Sequence, residues 1–101
     1  MRLCVHPSAE RELLHGAKWY EERQTGLGEQ FIEEYQAGIL RILAAPAAYA
    51  RIETARTRRE IRRCPLNRFP YYLAYETRTD SILILAVAHA KRRPNYWIRR
   101  R

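Results

Sequence analysis

RREIRRCPLNRFPYYLAYETRTDSILILAVAH, residues 58–89, is the stretch that sets the fold. It divides into three period-two runs separated by two turns. Arg58-Arg59-Glu60-Ile61-Arg62-Arg63-Cys64 predicts a strand, and Pro65-Leu66-Asn67 a turn. Arg68 to Glu76 predicts the next strand; Pro70 has no N–H for a ladder and belongs at a strand start or bulge. Thr77-Arg78-Thr79-Asp80 turns the chain again. Ser81 to His89 is apolar on both faces, as a strand inside a sheet requires. Short turns between the three strands imply an antiparallel meander. In the middle strand Phe69, Tyr71, Leu73 and Tyr75 form the more apolar set, so they are expected to point inward and Tyr72 outward.

Upstream, Arg2 to His6 alternates as a short first strand ended by Pro7, with Ser8 placed to cap a helix. Ala9, Leu13, Ala17 and Tyr20 form that helix's apolar stripe, and Glu10 and Glu12 suit its positive end. Gly26 and Gly28 break the pattern. Leu27, Phe31, Tyr35, Ile39, Ile42 and Leu43 then mark a second helix, stopped by Pro46. Glu21, Glu22, Glu29, Glu33 and Glu34 fall mostly off the stripe and read as a solvated face. Residues 46–57 are Ala-rich without a period and read as a loop. The order β-α-α-β-β-β predicts an α+β fold in which a helical hairpin packs on a mainly antiparallel four-stranded sheet. Residues 1–101 form one domain, with 91–101 a basic and flexible tail.

The net charge of +8 is unevenly spread. Residues 1–50 carry five Lys/Arg against seven Asp/Glu; residues 51–101 carry fourteen against four. A half with net charge +10 points to an anionic partner: nucleic acid, an acidic protein or a membrane surface. No apolar run reaches the ~20 residues of a membrane span, and no signal peptide opens the chain. Cys4 and Cys64 are isolated, so neither a zinc site nor a disulfide is expected. No nucleotide-binding glycine loop or metalloprotease motif occurs, and no metal or cofactor is expected.

Candidate chemistry gathers in the basic half. Period two places Arg58, Glu60 and Arg62 on one strand face, opposite Ile61, which points to the core. An anion would relieve the crowded arginines; pairing with Glu60, Glu76 and the helix carboxylates would do so equally. Lys91, Arg92 and Arg93 precede Tyr96 and Trp97, the cation-and-ring mixture that grips phosphates and stacks bases, although Trp97 can equally anchor the tail. His89 is the only histidine in this half. RNA cleavage needs a general acid and base besides cations. No second histidine or well-placed carboxylate accompanies His89, and Tyr96 could serve only with a shifted pKa.

Together these residues resemble the RelE/ParE family of toxins from bacterial type II toxin–antitoxin modules. The likeness runs through Trp19-Tyr20-Glu21-Glu22, Gly26-Leu27-Gly28, Phe31, Arg68-Phe69-Pro70-Tyr71, Tyr75, Val87 to Pro94, and Tyr96-Trp97. It implies a cytoplasmic growth inhibitor neutralised by a cognate antitoxin, an acidic segment that folds along the helices and sheet edge. Leu13, Tyr20, Phe31 and Tyr35 are the expected antitoxin contacts. Operator DNA would be met only through the antitoxin, and no membrane is involved. The Trp-Tyr-Glu-Glu and Arg-Arg-Pro-x-Tyr-Trp segments are closer to the ParE-like branch, which binds DNA gyrase and has no established catalytic set. The implied target-binding residues are Arg58, Arg62, Arg68, Lys91, Arg92, Arg93, Tyr96 and Trp97. The alternatives are a RelE-like endoribonuclease cutting mRNA on the ribosome, with Arg62, His89, Arg92 and Tyr96 as its candidates, and a non-toxic interaction domain of the same fold.

Overall fold

The computed structural model describes residues 1–54 and 58–101. The chain forms β1 (Arg2–Val5), α1 (Pro7–Arg23), α2 (Leu27–Ala44), β2 (Ala50–Arg51), β3 (Ile61–Pro65), β4 (Tyr71–Thr77) and β5 (Ser81–His89). The strands lie in the order β1-β5-β4-β3-β2, with β1 parallel to β5 and every other pair antiparallel. The α+β architecture is the one expected, but the sheet has five strands rather than four. The extra strand, β2, falls inside the segment read as a loop, where two residues are too few to show a period. The remainder of that reading, at 55–57, lies outside the described residues.

The first cap also differs from expectation. The imidazole of His6, not the hydroxyl of Ser8, opens α1: its Nδ1 accepts from the Ser8 amide at 3.0 Å, and Pro7 takes the first helical position. Proline tolerates that position because its missing N–H would be unpaired there anyway. Glu21 is the exception among the solvated carboxylates. It accepts from the Gly26 amide at 2.9 Å and the Gly28 amide at 3.0 Å, capping α2 where Gly26 has no side chain to do so. Gly26 has φ +89°, open to glycine without strain. At Gly28 a Cβ would sit 2.5 Å from the Ala17 carbonyl, so the helices cross too closely there for any other residue.

The helical stripes pack on one sheet face. Phe31, Ile39 and Ile42 meet Leu73, Tyr75, Ile82, Ile84 and Val87. The inward set of β4 is as read, since Phe69, Leu73 and Tyr75 are buried in this layer and Tyr71 packs against it. Leu43 is exposed despite its place in the periodic pattern. The opposite face is not bare. Ile61, Tyr72, Leu83 and Leu85 form a second apolar layer closed by Trp97, which is fully buried and donates from Nε1 to the Tyr72 hydroxyl at 3.0 Å. Tyr72 thus points away from the helices yet is buried. Ile61 belongs to this second layer, so Arg62 projects on the helix side. There it donates to the Tyr49 carbonyl and pairs with Glu60 at 3.0 Å. Strand β3 begins at Ile61, leaving exposed Arg58 ahead of the ladder.

Tyr75 ties β4 to the end of α2 by donating to the Pro46 carbonyl at 2.6 Å. Burial pushes its phenol up to about 12. An unfolded tyrosine titrates near ~10, so above that pH the unfolded chain releases a proton the folded chain keeps. This stabilisation is complete below the unfolded value and is lost as pH rises toward the folded one. Urea midpoints are expected to fall steadily as pH climbs from about 10 to about 12, and less steeply in Tyr75→Phe. An identical slope in the variant would assign the alkaline loss to other groups.

Candidate functional site

Strand β5 carries a β-bulge. Ala74 pairs with Ala86 but Tyr75 pairs with Ile84, leaving Leu85 unopposed. Leu85 and Ala86 consequently both face the second layer, and the alternation resumes with Val87 toward the helices. The extra residue re-aims the end of the strand. Without it His89 would point away from α1; with it, His89 lines a groove against that helix. The groove has a volume of about 390 Å³ and is walled by Glu12, His15, Gly16, Trp19 and Tyr20 of α1, Tyr71 of β4, Val87 and His89 of β5, and Arg92.

The bulge lies beyond the end of β1, where β5 has no neighbouring strand on that side. Two side chains replace it. The Val87 amide donates to Glu12 Oε1 at 3.0 Å, and Arg100 donates to the Leu85 carbonyl at 3.0 Å. Arg100 also forks onto both Glu12 oxygens at 2.9 and 3.0 Å, and Tyr96 donates to Oε2 at 2.6 Å. Arg92 approaches Glu12 at 3.5 Å, with its guanidinium 3.8 Å from the centre of the Tyr96 ring. A paired, many-bonded carboxylate of this kind holds a local geometry that single contacts would not. Arg59 secures the same tail from below, donating to the Ile98 and Arg100 carbonyls at 2.7 and 2.6 Å while pairing with Glu76 at 3.0 Å. Burial works against the Glu76 charge, but Arg59 and Arg78 outweigh it and hold the carboxyl below its ordinary range.

Residues 3–94 match the sequence profile of the ParE toxin of type II toxin–antitoxin systems, parDE. The chain belongs to the ParE toxin family. Among solved structures, a chain of the chromosomal ParDE TA system from P. aeruginosa superposes with a TM-score of 0.64 at 18% identity, covering 90% of this chain and 97% of that one. At that identity the likeness is one of fold. No curated protein matches the sequence. The profile match ends at Pro94, ahead of the residues Tyr96, Trp97 and Arg100 that brace the tail.

Within this ParE-family fold the basic residues separate into groups. His89, Lys91, Arg92 and Arg93 lie at the C-terminal end of β5, and Arg68, in the turn before β4, lies at the same sheet end because Tyr71 pairs with His89. Arg68 donates to Gln30 at 2.6 Å and remains exposed. Arg62 is elsewhere. It is level with Ile84 through Tyr75, five residues from His89, or roughly 16 Å along the strand. Arg62 therefore does not join His89, Arg92 and Tyr96 in one cluster. Trp97 lies inside the second layer and offers no ring to the surface. Tyr96 is held as a donor: burial and the Glu12 carboxylate both push its phenol well above the usual value, the opposite of what a base requires. His89 accepts a hydrogen bond from the Lys91 amide on Nδ1 at 3.0 Å, which leaves Nε2 for a ligand.

Of the expected antitoxin contacts, Phe31 is fully buried, and Leu13, Tyr20 and Tyr35 pack into the same layer. They form the stripe that holds the helices to the sheet. The apolar side chains the helices leave outside are Leu14, Trp19, Leu40 and Leu43. The sequence reading gave no site role to Glu12, His15, Trp19 or Arg100. A spacing of 12, 15/16 and 19 along α1 was available as a second helical face, but polar and small residues do not register as a stripe. Among the described residues no group of His, Cys, Asp and Glu is placed to hold a metal, and no helix is long and apolar enough to cross a membrane. Cys4 and Cys64 are free and lie on opposite faces of the sheet.

Proposed function

We propose that this chain arrests growth in the cytoplasm by binding DNA gyrase, and that a cognate antitoxin silences it. Membership of the ParE family across residues 3–94 carries the reading. The geometry around the groove supports binding over catalysis. Tyr96 is locked as a donor to Glu12 and Arg62 stands apart, so the residues expected of a ribonuclease do not form one constellation. Lys91, Arg92 and Arg93 are exposed at one end of the sheet and form the target-facing surface. An acidic antitoxin segment would meet the same charge and cover Leu14, Trp19, Leu40 and Leu43 on the helices. Operator DNA would then be reached through the antitoxin.

The test is a supercoiling assay with purified chain and gyrase, run beside an mRNA-integrity assay in translating extract. Inhibited supercoiling with intact message is the expected result. The triple variant Lys91→Glu, Arg92→Glu, Arg93→Glu should inhibit at least about tenfold less, because charge reversal at a contact costs more than loss of the charge. Undisturbed supercoiling at excess toxin, or codon-positioned message cleavage, would overturn the gyrase assignment.

A further inference from the structure

We propose that the groove between α1 and the end of β5 binds a nucleoside monophosphate, with its phosphate at Arg92, His89 and His15 and its base against Trp19, Tyr20 and Tyr71. Three observations converge on this ligand. The first is size: about 390 Å³ falls in the lower part of the ~300–1,000 Å³ range of small-ligand pockets. The second is charge. Among the described residues Glu12 is the only carboxylate lining the groove, and its oxygens already receive Arg100, Tyr96 and the Val87 amide. Arg92 also reaches Glu12 at 3.5 Å but its side chain stays 58% exposed, so its guanidinium and two imidazoles can still face an anion, with His89 presenting Nε2. Arginine's planar fork suits a phosphate, and imidazoles add directed donors.

The third observation is the rings. Trp19 is 46% exposed although it carries a large apolar surface. It is fixed from two sides: the Arg23 guanidinium lies 3.6 Å from its ring centre, and Tyr20 meets it in a T-shaped contact at 5.1 Å. A pre-positioned aromatic side chain loses little entropy when a base stacks on it. An acidic peptide would use the charges but give the exposed Trp19 ring no planar partner. A nucleotide uses both halves of the groove. This ligand does not depend on the gyrase reading, and failure to bind it would leave that reading standing.

The experiment uses the full chain with AMP as the probe, followed by calorimetry, by the ring-proton resonances of His15 and His89, and by Trp19 fluorescence. Trp97, buried on the other face, reports that the fold is intact. Millimolar or tighter AMP binding that moves both histidines is expected. Adenosine and inorganic phosphate should each bind at least about tenfold more weakly, since each lacks one half of the contacts. Arg92→Ala and Trp19→Leu should each weaken AMP by about tenfold, while Arg99→Ala, on the tail outside the groove, should bind as the parent does. A 5′-phosphorylated single-stranded oligonucleotide that binds more tightly than AMP would identify the source as a strand end; a weaker one would identify a free nucleotide. Histidine resonances that stay still at millimolar AMP would overturn the proposal. So would unchanged affinity in Arg92→Ala and Trp19→Leu.

Discussion

Glu12→Ala is expected to cost about 3 kcal/mol of stability, because it breaks a largely buried ion pair and leaves its partners uncompensated. The Glu12 side chain is 14% exposed and that of Arg100 19%. With the carboxylate gone, the Val87 amide, the Tyr96 hydroxyl and the Arg100 fork all lose their acceptor at once. For a domain of this size the loss corresponds to a fall in Tm of roughly 15 °C. Urea denaturation measures it directly. The double variant Glu12→Ala, Arg100→Ala should lose less than the sum of the single losses by at least about 1 kcal/mol, since removing both charges leaves neither stranded. Strict additivity would mean that the two residues act separately and that β5 does not need the pair.

The reason for so large an effect lies in the bulge. A strand edge without a neighbour exposes unpaired amides and carbonyls. Here β1 stops at Val5, opposite Ile84, and the chain continues for five more residues of β5. Glu12 and Arg100 complete the ladder where β1 ends. They also keep the local register that aims His89 into the groove. Stability and site geometry therefore depend on the same carboxylate.

The readable parts of the fold were those with an unbroken period. Strand β4 with its inward face and the helical stripes follow directly from spacing, because each buries one continuous apolar row. The bulge at Leu85 could not be read that way. Residues 81–89 are apolar on both faces, so a one-residue slip changes no hydrophobic pattern and only the pairing reveals it. Glu12 was hidden for a different reason. Its partners Tyr96 and Arg100 stand more than eighty positions away, and its place near a helix start already has an ordinary electrostatic explanation. His15 and His89 line one groove only because α1 runs beside β5. Leu13, Tyr20, Phe31 and Tyr35, by contrast, pack the helices on the sheet as their spacing alone indicates.

Trp97→Ala is expected to lose about 4 kcal/mol, the middle of the range for deleting a large buried aromatic side chain. Among the described residues no helix covers the second sheet face. Ile61, Tyr72, Leu83 and Leu85 are kept from water by the C-terminal segment, with Trp97 at its centre. Removing the indole opens a cavity and takes the donor from the Tyr72 hydroxyl. Trp97→Phe separates these two losses, since it retains most of the packing and drops the hydrogen bond; it should cost about half as much. The effect should also reach the groove. Trp97 sits between Tyr96 and Arg100, so a tail released from the second face can no longer hold both residues on Glu12. Hydrogen exchange at the Val87 amide tests that link. In Trp97→Ala this amide should exchange faster than the loss of global stability alone accounts for, because its acceptor is freed by tail movement as well as by unfolding. Exchange that tracks global stability alone would show instead that Arg59 holds the tail in place without the indole, and that the two sheet faces are energetically independent.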